Sequence, residues 1–206
     1  MKLMVISNPA SFNGEAKLIN QLFDHGLEIF HLRKPEIDKI GYKLLLTEIA
    51  LQYHDRIALH GHHDLAEEFG IKRLHYTENS RKKLPEGWLK NKNPDQIMST
   101  SIHIPAELNS VQEFDYVLLG PVFDSFSKVG YKAIAAEDLD LRSWRLSPHL
   151  QTNLKIIALG GIGINTIERV KPIGFDGAAM LGWIWNDPSM ALANLKQIRC
   201  WIKENT

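Results

Sequence analysis

Short runs of apolar residues alternate with segments of helical periodicity along the whole chain. Within each run nearly every position is apolar, a pattern typical of strands buried on both faces of a parallel sheet. The eight predicted strands are Lys2–Ser7, Leu27–Leu32, Arg56–Leu59, Ile71–Tyr76, Gln96–His103, Asp115–Leu119, Ile156–Leu159 and Gly177–Leu181.

The intervening segments carry apolar residues at helical spacing. Leu18, Ile19, Leu22 and Phe23 predict a helix over Glu15–His25, which Gly26 ends. The other predicted helices are Ile40–Gln52, Asp64–Phe69, Ala106–Glu113, Asp138–Leu146, Thr166–Ile173 and Ser189–Lys203. Residues 77–95 are polar and weakly periodic, so we expect an irregular loop there.

The alternation of strands and helices favours a (β/α)8 barrel, a TIM barrel, formed as a single domain by residues 1–206. An open, doubly wound sheet is the competing architecture. Against it, no glycine-rich dinucleotide fingerprint follows the first predicted strand, and no domain linker is visible.

The amino-acid composition limits the classes of binding partner that we expect. Lys plus Arg and Asp plus Glu number 24 each, so no overall field attracts nucleic acid or an anionic membrane, and any anion site must be local. No apolar run is close to the length of about 18 residues that a membrane-spanning helix needs. The apolar run at Met1–Ser7 is too short for a signal peptide. The single Cys200 excludes an intramolecular disulfide. We expect a cytoplasmic protein.

Glycines end the last two predicted strands. Gly160 and Gly161 follow the seventh, and Gly182 follows Leu181 at the end of the eighth. Backbone N–H groups in such turns can hold a phosphate, and (β/α)8 barrels often build a phosphate site after strands seven and eight. The alternative is that these glycines only make tight turns between strand and helix.

Histidines follow four of the strands, namely His31, His60, His75 and His103. In a barrel the active site lies at the carboxyl ends of the strands, and a histidine there can act as acid or base near neutral pH. His103 follows Ser101 by two positions, so the two side chains point the same way along a strand. The alternative is a surface histidine bonded to a turn.

Other polar residues at the strand ends could bind a ligand. The closely spaced His60, His62 and His63 could hold a metal, but we favour a loop with one substrate-facing histidine and no metal. Arg33 could bind phosphate or carboxylate through its forked guanidinium. Lys34, Ser127 and Lys128 are further candidates, with solvated surface charge as the alternative for each cation.

The order of these motifs resembles that of the thiamine phosphate synthase and thiazole tautomerase superfamily over nearly the whole chain. The matching motifs are HLR at His31–Arg33, HGHHDLA at His60–Ala66, STSIH at Ser99–His103, DYVLLGPVFDSFSK at Asp115–Lys128, IIALGGI at Ile156–Ile162 and GAAMLGWIW at Gly177–Trp185.

The resemblance implies a barrel enzyme of thiamine biosynthesis that binds thiazole phosphate. The phosphate would rest on the backbone of Gly160, Gly161, Leu181 and Gly182. The substrate-binding residues would be His31, Arg33, His60, Ser101, Ser127 and Lys128.

Two reactions share this fold. The synthase joins a pyrimidine pyrophosphate to thiazole phosphate and needs magnesium carboxylates after strands three and four. Here those positions read Gly61 and, near the second, Ser80. The tautomerase branch looks like HxR, x-Gly and SxH after strands two, three and five, and this chain shows His31–Arg33, His60–Gly61 and Ser101–His103.

The sequence therefore predicts a thiazole carboxylate phosphate tautomerase, with His103 as the proton-transfer residue and no cofactor. The alternatives are a thiamine phosphate synthase with an altered magnesium site, and a non-catalytic thiazole phosphate binder that acts as a regulator. The expected partner is a small molecule rather than nucleic acid or a membrane, with a homodimer as a further candidate assembly.

Overall fold

Eight parallel strands close a barrel in which each strand is hydrogen-bonded to the next and the last to the first. The structure, a computed structural model, describes residues 1–124, 133–135, 138–146 and 153–205. The strands are β1 Lys2–Ile6, β2 Ile29–Leu32, β3 Ile57–Leu59, β4 Arg73–Tyr76, β5 Ile97–Ile102, β6 Tyr116–Leu119, β7 Lys155–Leu159 and β8 Gly177–Met180. The predicted (β/α)8 fold is confirmed.

Helices connect the strands on the outside of the barrel. The α-helices of the described residues are α1 Glu15–Asp24, α2 Lys39–Glu48, α3 Glu78–Arg81, α4 Leu141–Leu146, α5 Ile167–Ile173, α6 Gly182–Trp185 and α7 Ala191–Asn205. Short 3₁₀ helices lie at Leu51–Arg56, His63–Leu65, Trp88–Asn91, Pro105–Ser110 and Pro188–Met190. Within this part of the chain, none of the helices is both long and apolar enough to cross a membrane.

Several segments differ from the predicted helices because of local backbone chemistry. The second stops at Glu48, where Ile49 turns to an extended conformation and the chain continues as a 3₁₀ helix. The stretch predicted as irregular holds α3, because the Thr77 side chain accepts a hydrogen bond from the Ser80 N–H and caps it. Predicted helices at 64–69 and 106–113 are 3₁₀ segments instead.

Apolar side chains form two cores, one on each face of the barrel wall. The larger core lies between strands and helices and includes Phe30, Leu59 and Val117. The smaller one fills part of the barrel interior with Met4, Ile6, Ile29, Tyr116, Leu118, Ile157 and Ala179. The apolar interior residues come mainly from β1, β6, β7 and β8. On the side of β2 to β5, polar side chains face the interior.

A buried ion pair ties the loop after β2 to the first helix. The Lys34 ammonium, fully buried, lies 2.5 Å from the carboxylate of Glu15 and also donates to the Ala10 carbonyl at 3.0 Å. Burial lowers the pKa of Lys34 and raises that of Glu15, while the partner of each opposes the shift. Lys34 is therefore engaged in this ion pair and does not line the cavity described below.

Breaking this pair leaves a buried charge without a partner. We expect Glu15→Gln to lower the free energy of unfolding by about 3 kcal/mol, since loss of one partner of a buried pair typically costs about 3–5 kcal/mol. Urea denaturation measures the change. Asp64→Asn is the control, because the exposed Lys39–Asp64 pair is screened by solvent and its loss should have no measurable effect. Equal effects of the two substitutions would contradict this account.

Candidate active site at the carboxyl ends of the strands

A cavity of about 880 Å³ opens at the carboxyl ends of the barrel strands. It gathers most of the residues predicted from the sequence as site residues. Those that line it are Arg33, His60, Ser101, His103, Gly160, Gly161, Leu181 and Gly182. Ser127 and Lys128 lie outside the described residues.

The two late glycine turns lie side by side, because β7 and β8 are paired. Gly160 and Gly161 have φ angles of 95° and 63°, and a Cβ on either would clash. On Gly160 it would lie 2.7 Å from the Pro121 Cα, and on Gly161 2.6 Å from the Asp124 carbonyl oxygen. Packing of the loop after β6 thus requires these glycines with or without a ligand, so both interpretations of the turns stay open.

His103 follows β5 at the cavity edge, where half of its side chain is exposed. Its Nδ1 lies 2.7 Å from a carboxylate oxygen of Glu78, the first residue of α3. Hydrogen bonds from Lys82 and His103 hold the pKa of Glu78 below its usual value. A Glu78 carboxylate that accepts from Nδ1–H leaves Nε2 of a neutral His103 as the free, basic nitrogen.

Arg33 supplies positive charge to the same cavity. It is the one Lys or Arg among the described lining residues. Its backbone is fixed by a reciprocal pair of 2.8 Å hydrogen bonds with Ser7, whose hydroxyl accepts from the Arg33 N–H and donates to the Arg33 carbonyl. An anionic group on a ligand would find its cationic partner here.

His31 does not line the cavity, which corrects its prediction as a residue in direct contact with substrate. It is fully buried in the barrel interior. Its Nδ1 is 2.9 Å from Nε2 of His60, and its Nε2 is 3.0 Å from the hydroxyl of Tyr116. Burial, followed by the nearby charge of Arg73, lowers the pKa of His31 to about 3.

A second buried histidine lies beside this pair. His75 stacks on His60 with ring centroids 3.9 Å apart, and its Nδ1 and Nε2 are each 2.9 Å from a hydroxyl, of Ser99 and Ser101 respectively. Burial is also the main cause that holds the pKa of His60 and of His75 well below the usual histidine value. We call Ser101, His75, Ser99, Tyr116, His31 and His60 the core network.

The other candidate ligands of the sequence face elsewhere. Nε2 of His62 is directed to the Ile37 carbonyl at 3.4 Å, and Nε2 of His63 to the Leu59 carbonyl at 3.0 Å. A different trio, His31, His60 and His75, has ligand atoms within 4.8 Å of one another. Five of their six ring nitrogens already make hydrogen bonds within the core network, which compete with metal ligation.

The profile of the thiamine monophosphate synthase family matches residues 3–184. The chain belongs to this family.

Individual members agree with that assignment. A thiamine-phosphate synthase of Koribacter versatilis is 27% identical over 158 residues, which cover 76% of this chain and 69% of the relative. The crystal structure of a thiamine phosphate pyrophosphorylase of Bacteroides thetaiotaomicron is 30% identical, with a TM-score of 0.77 over 97% of this chain and 96% of its own. One of Pyrococcus furiosus, 18% identical, shares the fold with a TM-score of 0.76 over 98% and 96% of the two chains.

The sequence resemblance implies a magnesium ion for a synthase, and magnesium prefers carboxylate and phosphate oxygens as ligands. Among the described residues that line the cavity, Glu78 is the one carboxylate, and it is already bound to Lys82 and His103. Gly61 has no side chain, and the Ser80 hydroxyl is engaged with Thr77. The described side chains that line the cavity therefore do not fit a magnesium site built on protein carboxylates.

Sequence reasoning missed Ser99 and Tyr116, and named His75 without giving it a role. The signal was present in the alternation of each strand. Register pairs His31 with Ala58, His75 with Ser99 and Ser99 with Tyr116, so these residues share the inner face. A polar residue at every second position of an otherwise apolar run indicates a polar barrel interior.

The three histidines of the core network predict how the free energy of unfolding depends on pH. The unfolded chain protonates them below a pH of about 6.5, whereas the folded protein keeps them neutral to lower pH. The free energy of unfolding should therefore fall as pH falls from about 6.5 toward 4, by up to about 4 kcal/mol per pH unit from three groups.

Urea denaturation across this pH range measures the slope. His75→Asn removes one of the three groups, so its slope should be shallower by up to about 1.4 kcal/mol per pH unit. A slope that is the same in both proteins would show that His75 does not contribute.

Proposed function

We propose that this chain is an enzyme of thiamine biosynthesis that binds a thiazole phosphate in the cavity at the strand ends. One observation carries the proposal: the paired glycine turns after β7 and β8 share a cavity with His103. A phosphate on the backbone of Gly160, Gly161, Leu181 and Gly182 would place the attached heterocycle among Arg33, Ser101 and His103.

The geometry best supports tautomerisation of a thiazole carboxylate phosphate. Glu78 orients His103 so that Nε2 can remove one ring proton and return a proton at another position. The substrate carboxylate would pair with Arg33, with His60 or with a backbone group. This reaction needs no metal. That is consistent with the described cavity lining, whose one carboxylate, Glu78, already makes hydrogen bonds with Lys82 and His103.

Thiamine phosphate synthesis is the second candidate, and the comparisons favour it. The relatives described above are named thiamine-phosphate synthase or thiamine phosphate pyrophosphorylase, and none is named a tautomerase. In this chain Arg33 would meet an anionic group of either substrate, and the glycine turns would hold the thiazole phosphate. The residues found do not supply the carboxylates that the resemblance implies for magnesium.

The role of His103 is tested by His103→Asn. We expect ring-proton exchange on thiazole carboxylate phosphate to slow by at least about a hundredfold with little change in KM, the usual contribution of a general base. Proton NMR in D₂O follows the exchange. His25→Asn is the control, because His25 follows α1 and does not line the cavity. Undiminished exchange in His103→Asn would defeat the tautomerase mechanism.

The two reactions are separated by assaying one preparation for both, with and without magnesium. Proton exchange that does not depend on magnesium supports the tautomerase. Magnesium-dependent release of pyrophosphate without proton exchange supports the synthase. Tight binding of thiazole phosphate without either turnover indicates a non-catalytic binder.

A further inference from the structure

Glu78 binds His103 with one carboxylate oxygen and a lysine with the other. Oε2 of Glu78 lies 2.7 Å from Nδ1 of His103, and Oε1 accepts a hydrogen bond from Nζ of Lys82, four residues further along the chain. These two hydrogen bonds, that of Lys82 first, hold the pKa of Glu78 below its usual value. The carboxylate beside His103 is therefore shared with a cation.

Lys82 is shared in turn with a second carboxylate. Its Nζ lies 3.5 Å from Oε1 of Glu107, in the 3₁₀ helix Pro105–Ser110. The hydrogen bond with Glu78, joined by the charge of Glu107, raises the pKa of Lys82. The ammonium is thus attracted by Glu78 and by Glu107 at once, so each carboxylate limits how far Lys82 neutralises the other.

The far end of this row of charges is anchored at β5. Oε2 of Glu107 lies 3.2 Å from the guanidinium of Arg81, whose side chain is only 13% exposed. Nε of Arg81 donates to the Thr100 hydroxyl at 3.2 Å, and that hydroxyl donates to the Tyr76 carbonyl at 2.7 Å. An isolated surface ion pair is usually weak, but a network of several charges with such an anchor keeps its geometry. The four alternating charges are called the charge chain and comprise Glu78, Lys82, Glu107 and Arg81.

The charge chain is neutral as a whole, since two carboxylates alternate with two cations. When His103 takes a proton at Nε2, an imidazolium forms next to Glu78, and the carboxylate stabilises it. The ammonium of Lys82 opposes this effect, because a nearby like charge disfavours the charged form of a histidine. Glu107 offsets part of the charge of Lys82. The proton affinity of His103 therefore depends on how far Glu78 is neutralised.

Other charged groups near His103 are independent of the charge chain. Across the cavity, the remaining titratable or charged residues of the described lining are Arg33 and His60. Arg33 is a fixed cation, and burial lowers the pKa of His60, which keeps that imidazole neutral near pH 7. Substitutions at Lys82 or Glu107 therefore change the electrostatic field at His103 without removing a contact of either group.

We propose that Lys82 and Glu107 set the proton affinity of His103 through Glu78, as positioning residues that do not line the cavity. This rests on the proposed function, in which one histidine both takes a ring proton and returns it. A base that holds the proton too firmly returns it slowly, and one that holds it too weakly does not take it. The charge chain supplies an intermediate affinity by neutralising part of the charge of Glu78.

Lys82→Met removes the cation that shares Glu78. We expect the pH at which His103 is half protonated, its titration midpoint, to rise by about half a unit, since the unshared carboxylate favours imidazolium. NMR of the imidazole Cε1–H across pH measures this midpoint in the ligand-free protein, and His103→Asn assigns the resonance. Below the midpoint, turnover should slow by about threefold, which is the same shift expressed as the fraction of neutral base.

Glu107→Gln should move the midpoint in the opposite direction and by a smaller amount, because Lys82 is then attracted by Glu78 alone. A general loss of structure would not give opposite signs at two residues of one network. Lys82→Arg keeps the positive charge and should restore the original midpoint. The shift in Lys82→Met should also shrink in about 1 M sodium chloride, where the screening length is about 3 Å.

Lys83→Met is the matched control. Lys83 is the next residue along the chain, it is exposed, and its side chain forms no hydrogen bond or ion pair with the described residues. We expect this substitution to leave the midpoint and the turnover unchanged. An equal shift in Lys82→Met and Lys83→Met would overturn the proposal, because any surface cation would then have the same effect.

The midpoint and the turnover are separate readouts, so the two proposals fail separately. An unmoved midpoint in Lys82→Met, with ring-proton exchange intact, overturns the role of the charge chain and leaves the proposed function standing. Shifts of opposite sign in Lys82→Met and Glu107→Gln, in a protein that exchanges no ring proton, support the charge chain and reject the tautomerase. Shifts of the same sign in these two variants contradict the role given to Glu107 and overturn the proposal.

Discussion

A polar side chain inside a closed barrel has no bulk water to bond with, so it must find its partner on a neighbouring strand. This constraint governs the interior of the protein. On one side of the interior, Met4, Ile157 and Ala179 are apolar and need no hydrogen-bond partner. On the other side, the histidine and hydroxyl side chains of β2 to β6 form hydrogen bonds with one another. The barrel therefore has an apolar half and a hydrogen-bonded half.

The hydrogen-bonded half extends up to the floor of the cavity, and this continuity explains the character of the site. Ser101 belongs both to the core network and to the cavity wall. His103, directly after β5, is held instead by Glu78, the first residue of α3. Ser101 and His103 can therefore both meet a substrate, but different groups hold them in place. Ser101 is held by the buried His75, and the half-exposed His103 by the carboxylate of Glu78.

Much of this arrangement follows from the sequence. Continuous apolar runs predicted all eight strands, and the residues after strands five, seven and eight predicted one wall of the cavity. Periodicity could not place His31, because a residue on the inner face of a strand is equally consistent with the cavity floor or the sealed interior. Nor could it place Lys34, whose burial depends on Glu15 in a separate helix. Both depend on contacts between distant segments, which a local pattern does not contain.

Gly61 bears on the choice between the two proposed reactions, because the sequence resemblance implies a magnesium carboxylate after strand three in a synthase. Gly160 and Gly161 must be glycine, since a Cβ would clash with the loop after β6. Gly61 is under no such constraint, because a Cβ there would meet only the Tyr42 hydroxyl, at 3.8 Å. A Cβ at this position would therefore make only an ordinary van der Waals contact. Packing around Gly61 therefore does not account for the missing carboxylate, and the proton transfer proposed for His103 would not require a carboxylate at this position.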